Sequence, residues 1–153
     1  MTEPVWLPIE VVIRINEDSV TETGEPFFLR DRALLDSALA RPRNHYAYGE
    51  EDVFSLATTL IFGIAKNHPF EQGNKRTAFL SAVLFLEQNG YIFSCANNEI
   101  LGKAIEFVIN DQLTEAEFRE IIRPYVVPYD WAGVYADDDI LYQSIVKIDE
   151  RAR

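Results

Sequence analysis

Apolar residues fall at helical spacing along most of the chain. Ile9, Val12 and Ile13, with Asn16 in the same stripe, predict a first helix over 8–22, ended by the Gly24-Glu25-Pro26 break. Asp31 is placed to cap a second helix over 32–40, whose apolar face is Ala33, Leu34, Leu35, Ala38 and Leu39. Pro42 is expected to stop it. The Asn, two Tyr and Gly of 43–49 then read as an extended loop or short hairpin. Glu50, Glu51 and Asp52 put negative charge on the first turn of a strong helix, where the macrodipole favours it, and that helix runs to Asn67 and stops before Pro69. A further helix opens at Asn74 or Lys75 and continues to about Gln88. Nearly all of Ala78 to Leu86 is apolar, which predicts the buried central helix. Asn89-Gly90 stops it. A short strand at 91–95, a helix over 98–110 and a helix from the Thr114 capping box with Glu117 to Tyr125 follow, and a peripheral helix is expected around 140–148.

The pattern contains no internal repeat and no linker that would divide the 153 residues, so it describes one mainly helical domain. The hydrophobic share of 48% and charged share of 25% are ordinary for a globular protein. Cys95 is the only cysteine, which excludes an internal disulfide and fits a reducing compartment. Met1 to Trp6 carries no basic and apolar leader pattern, and no apolar run reaches the ~18 residues a membrane span requires. The expectation is a soluble cytoplasmic protein with no membrane partner. The formal charge of −11 repels nucleic-acid backbones, so no nucleic-acid partner is expected. Any phosphate-handling site must supply local positive charge against that trend.

Lys75 and Arg76 supply it, inside the run His68-Pro69-Phe70-Glu71-Gln72-Gly73-Asn74-Lys75-Arg76-Thr77. Two cations at a helix start oppose the dipole, so a merely structural helix rarely carries them there. A loop feeding a helix N-terminus presents amides without helical partners, and these form an anion site. Gly73 lets a ligand approach the backbone. Lys75 adds a point charge and Arg76 a planar fork. His68, freed from helical geometry by Pro69, is of the residue type that takes a proton from a hydroxyl near neutral pH. Phe70 is expected to anchor the loop in the core. Bland readings exist for each: a histidine before proline is usually a solvated helix end, Asn74 serves equally as an N-cap, and Asp137-Asp138-Asp139 reads as a solvated helix start. His45, Tyr46 and Tyr48 read as surface. Lys75 does not follow a glycine, so the run is no Walker phosphate loop.

This run resembles the active-site motif of the Fic/Doc superfamily, and its Asn-Lys-Arg-Thr ending resembles the death-on-curing (Doc) branch. Leu29 to Pro42 is similar to the segment upstream of that motif, and Leu84-Phe-Leu-Glu-Gln-Asn-Gly90 to the segment after it. The resemblance implies an all-α, Fic-type helical bundle with a central buried helix and a short β-hairpin flap, here at 43–49, that aligns a target peptide. It implies a Fic/Doc domain over 1–127 with residues 128–153 as a C-terminal extension. His68 would be the base, Gly73, Asn74 and Lys75 the phosphate cradle, Arg76 the grip on nucleotide phosphates, and Thr77 part of the same nucleotide-binding run.

The implied activity is a toxin's transfer of phosphate from ATP to a Ser/Thr hydroxyl of elongation factor Tu, silenced by a separate antitoxin. Two positions depart from the family pattern. Gln72 stands where an acid usually binds Mg²⁺, and an amide is a weaker ligand for that ion. Glu71 beside it is expected to point elsewhere. Phe79 stands where adenylyl-transferring Fic proteins carry a second arginine. Adenylyl transfer to a protein hydroxyl and a catalytically degenerate binding protein are the alternatives.

Overall fold

The computed structural model describes residues 2–94 and 98–129. The peripheral helix, Cys95, the acidic run at 137–139 and nearly all of the C-terminal extension lie outside them. The described chain forms six helices: α1 (Ile9–Glu22), α2 (Arg32–Ala47), α3 (Val53–Asn67), α4 (Asn74–Gln88), α5 (Asn98–Ile109) and α6 (Glu115–Ile122). A 3-10 turn, Arg123–Tyr125, follows α6, so the last predicted helix ends earlier and tightens. Strands β1 (Tyr91–Phe93) and β2 (Val126–Pro128) pair antiparallel, with Ile92 opposite Val127. The all-α architecture with a small two-stranded element is therefore present.

Its details differ from expectation in two places. First, Pro42 does not stop α2. A proline in a helix interior costs about 3 kcal/mol in isolation, but here Leu35, Ala38 and Pro42 are all buried. The Ala38 carbonyl, which would otherwise accept the missing N–H of residue 42, lies against α3. A Cβ at Gly63 would sit 3.0 Å from it, so only glycine permits this approach. Close packing overrides the proline signal and carries α2 to Ala47, with a cap at Tyr48. The stretch 43–49 is consequently no hairpin flap. Arg43 lies over the Trp6 ring at 5.7 Å and Tyr46 meets it edge-on at 5.9 Å.

Second, the helix buried on every side is α3, not α4. Every residue from Val53 to Ala65 is buried, whereas Phe79, Leu80, Val83 and Leu84 of α4 keep partial exposure. The acids expected on the first turn of α3 lie just before it instead, because the helix starts at Val53 with Asp52 as its N-cap. The Asp52 carboxylate accepts from the Phe54 N–H at 3.1 Å, the Ser55 hydroxyl at 3.0 Å and Arg123 at 2.9 Å. Burial disfavours its ionised form, but the Arg123 and Ser55 hydrogen bonds, the Arg123 charge and the Phe54 amide outweigh that and hold its pKa below the ordinary value. Asp31 caps α2 through the Leu34 N–H, and Thr114 and Glu117 complete a reciprocal capping box on α6. Asn89 closes α4 while its side chain donates to the Val5 carbonyl and accepts from the Val5 N–H, fastening the N-terminal strand of chain to the bundle.

Candidate functional site

The turn between α3 and α4 is built by its neighbours rather than by its own sequence. His68 caps α3 in the left-handed region, φ 52 and ψ 53, outside helical geometry as the residue before Pro69 was expected to be. It is one of two non-glycine residues with positive φ among the described residues. Such a conformation costs a β-carbon-bearing residue roughly 1–2 kcal/mol. The guanidinium of Arg30 donates to the His68 carbonyl through Nε at 3.2 Å and Nη2 at 2.5 Å, which fixes the peptide in that orientation. The Arg30 and Asp31 N–H groups donate to the Pro69 carbonyl at 2.9 and 3.0 Å, and the Glu71 N–H donates to the Phe28 carbonyl at 3.0 Å. Residues 28–31 thus form a β-bridge partner to the turn, Leu29 against Phe70. The imidazole of His68 is left exposed at the edge of the cavity described below.

Beyond Phe70, which is wholly buried as expected, two asparagines shape the turn. Asn74 is not a side-chain N-cap. Its amide accepts from the Phe70 N–H at 2.9 Å and donates to the Phe70 carbonyl at 2.7 Å, a closed four-residue clamp. The N-cap position falls to Gly73 at φ 76. A Cβ at Gly73 would meet Val20 Cγ1 at 3.0 Å and Asn16 Nδ2 at 3.1 Å, so this glycine admits helix α1 rather than only a ligand. Asn16, fully buried on α1, donates from Nδ2 both to the Gln72 carbonyl at 2.8 Å and to Thr77 Oγ1 at 3.0 Å. Thr77 is buried, its hydroxyl taken by Asn16 and its N–H by the Gly73 carbonyl, so it supports the site from beneath. Asn16 Oδ1 has no hydrogen-bond partner among the described residues.

Because the first helical bond of α4 runs from Thr77 to Gly73, the N–H groups of Asn74, Lys75 and Arg76 have no helical acceptor. They open on a cavity of about 520 Å³. His68, Glu71, Gln72, Gly73, Lys75 and Arg76 border it on one side, and Ser19, Thr23 and Glu25 on another. Glu106 and Ile109 of α5, with Asn110 just after it, close the third. The structure therefore brings His68, Gly73, Asn74, Lys75 and Arg76 to one cavity, and Gln72 with them, while Thr77 lies outside its lining. Glu71, expected to point elsewhere, borders it as well.

Both cations are already engaged. Lys75 pairs with Glu106, and Arg76 with Glu22 at 2.9 Å. All four side chains keep substantial exposure, and pairs of this kind contribute about 0–1 kcal/mol. A polyanionic ligand competes for both cations on easy terms.

The described residues offer a divalent ion no ready-made protein cage. Among the described residues no three His, Cys, Asp or Glu side chains converge, and Gln72 offers a neutral amide where Mg²⁺ favours carboxylate and phosphate oxygens.

Sequence reasoning missed Asn16, Arg30, Glu22 and Glu106. For Asn16 a signal existed, since it is the one polar residue in the otherwise apolar stripe of Ile9, Val12 and Ile13. The other three are polar residues on exposed segments, and nothing in local pattern marks them. No described helix is long and apolar enough to cross a membrane.

Comparison with known proteins agrees with this geometry. The Fic/DOC family profile matches residues 6–86, which includes α1 to α3, the whole turn and α4 except its last two residues. The chain is 32% identical over 82 residues to the protein kinase Doc of Escherichia phage P1, covering 53% of this chain and 65% of that protein. It is 42% identical over 70 residues to the toxin Doc of Mycolicibacterium smegmatis, covering 44% of this chain and 53% of that protein. The match thus spans between half and two-thirds of these relatives' lengths. With more than half of its residues inside the family profile, the turn between α3 and α4 among them, the chain belongs to the Fic/DOC family.

Proposed function

We propose that this protein is a Doc-like toxin that transfers the γ-phosphate of ATP to a Ser or Thr hydroxyl of a translation factor, elongation factor Tu being the expected target, and that a separate antitoxin protein silences it. One observation carries the reading: the imidazole of His68 borders the same cavity as the unbonded amides of α4, with Lys75 and Arg76 beside them. The names of the two relatives, one a kinase and one a toxin, support it.

In this reading the amides of Asn74, Lys75 and Arg76 bind the phosphate chain, with the two cations replacing Glu106 and Glu22 by phosphate oxygens. His68 accepts the proton of the target hydroxyl as its oxygen bonds to the γ-phosphorus. The bond from that phosphorus to the bridging oxygen breaks, and ADP leaves. Amides and cations stabilise the charge on the equatorial oxygens, which is where phosphoryl transfer needs it. No step is assigned to Mg²⁺, for which the Gln72 amide is a weak ligand. A cytoplasmic location follows from the expected target.

The test supplies the protein with translation factors and ATP labelled at either the α or the γ phosphate. Label from γ on the elongation factor, reduced about 10²–10⁴-fold by His68→Ala, supports phosphoryl transfer. Label from α alone makes the protein an adenylyl transferase, and no transfer from either position, with ATP still bound, makes it a binding protein.

A further inference from the structure

Two distant side chains hold the two halves of the turn. Asn16, from α1, holds the half that carries the amides, through the Gln72 carbonyl and the Thr77 hydroxyl. The half that carries His68 is held from the segment leading into α2. Asp31 caps that helix through the Leu34 N–H, and the Asn67 side chain at the end of α3 donates to the Leu34 carbonyl at 2.9 Å. Arg30 is thereby kept beside the end of α3, with its own N–H on the Pro69 carbonyl.

The peptide between His68 and Pro69 can be held in one way. Proline brings no N–H, so the His68 oxygen is the sole hydrogen-bonding group of that peptide. Arg30 takes this oxygen with both Nε and Nη2, and Nη2 also lies 3.5 Å from the Asn67 oxygen. Among the described residues no carboxylate pairs with the Arg30 guanidinium, which is given over to these two carbonyls. A cation there also suits the negative end of the α3 dipole. The hold works against local preference. His68 stands in the left-handed region, whereas a residue before proline favours extended backbone. Release of the oxygen lets the backbone relax that way and carries the imidazole from its place at the cavity edge.

We infer that Arg30 is the positioning residue for His68, holding the imidazole where a target hydroxyl meets the γ-phosphate. Its catalytic consequence rests on the proposed phosphoryl transfer; the placement of the imidazole does not. Arg30 does not border the cavity, so it acts through His68 and leaves the amides to Asn16. Binding and chemistry are therefore separable by which of the two brackets is cut.

Arg30→Met keeps an apolar stem on this exposed side chain and removes the guanidinium, while Arg30→Lys returns a single cationic donor group. With γ-labelled ATP, kcat is expected to fall about 10²-fold in Arg30→Met, with KM for ATP unchanged and kcat partly restored in Arg30→Lys. In a His68→Ala background, Arg30→Met should cost nothing further. A raised KM at unchanged kcat, or an equal additional loss in that background, overturns the assignment. A second measurement needs no transfer. His45 and His68 are the only histidines of the chain, so His68→Ala assigns their imidazole NMR resonances. Tripolyphosphate should shift the His68 resonance in the native protein and leave it nearly still in folded Arg30→Met, at equal affinity. A full shift in that variant, or none in the native protein, overturns the inference. Loss of the shift in a protein that transfers no phosphate at all removes the kinase reading and leaves the hold of Arg30 on His68 standing.

Discussion

Asn16 holds the carbonyl of Gln72 at 2.8 Å from the opposite side of the turn, across 56 residues of sequence. The same Nδ2 reaches Thr77 Oγ1, so one amide from α1 ties both the approach to α4 and its first turn. The orientation of the three amides facing the cavity depends on this bracket. Asn16→Ala leaves the Gln72 carbonyl and the Thr77 hydroxyl without their donor. It is expected to cost about 1–3 kcal/mol of unfolding free energy, read by chemical denaturation. Tripolyphosphate binding should weaken with it, and unchanged affinity in a folded Asn16→Ala protein would show that the turn orders itself.

Gln72 sets the relation to divalent ions. ATP affinity of the native protein is expected to differ little between Mg²⁺ and EDTA, whereas Gln72→Asp should gain about tenfold from added Mg²⁺. Calorimetric titration under both conditions decides it. A strong Mg²⁺ requirement in the native protein would contradict the account of the donor set.

Glu106→Gln removes the competitor for Lys75. ATP affinity should rise, by up to about fivefold, because an exposed ion pair is worth at most about 1 kcal/mol. A fall would mean that Glu106 holds Lys75 in the binding position instead of occupying it.

Asp52 gives a pH dependence with a definite sign. Its folded-state pKa lies below the ordinary 3.8. Its stabilising contribution is complete above that ordinary value and is lost as pH falls through the lower folded value. Asp52→Asn should therefore destabilise the protein at neutral pH and narrow the gap to native in strong acid. Thermal unfolding followed from pH 7 downward measures it, and a gap that stays constant would exclude the carboxylate as the cause.

How far the sequence could be read is clearest from particular elements. The run from His68 to Arg76 was legible because residues with unlike roles sit within one short turn, whereas Asn16 and Arg30, which fix the shape of that turn, come from far away in sequence. The caps Asp31 and Thr114 were legible because a cap acts within three residues. Pro42 misled because its local preference is opposed by a contact with Gly63, a distant glycine whose importance appears only when two helices touch. Asn74 misled because its side chain closes on Phe70, behind it in sequence, where capping rules look ahead. Glu22 and Glu106 lie on either flank of the site and are brought to it by the packing of α1 and α5.

The two carboxylates on Lys75 and Arg76 already stand where the proposed phosphates would bind. Binding there is an exchange of one anion for another, not the filling of a vacancy. Weak monoanions such as chloride or acetate gain little by such a swap, whereas a phosphate chain replaces both carboxylates and takes the free amides as well. On a protein of charge −11, the proposed phosphate site would by this exchange select dense, multivalent anions before any contact with the rest of a nucleotide is made.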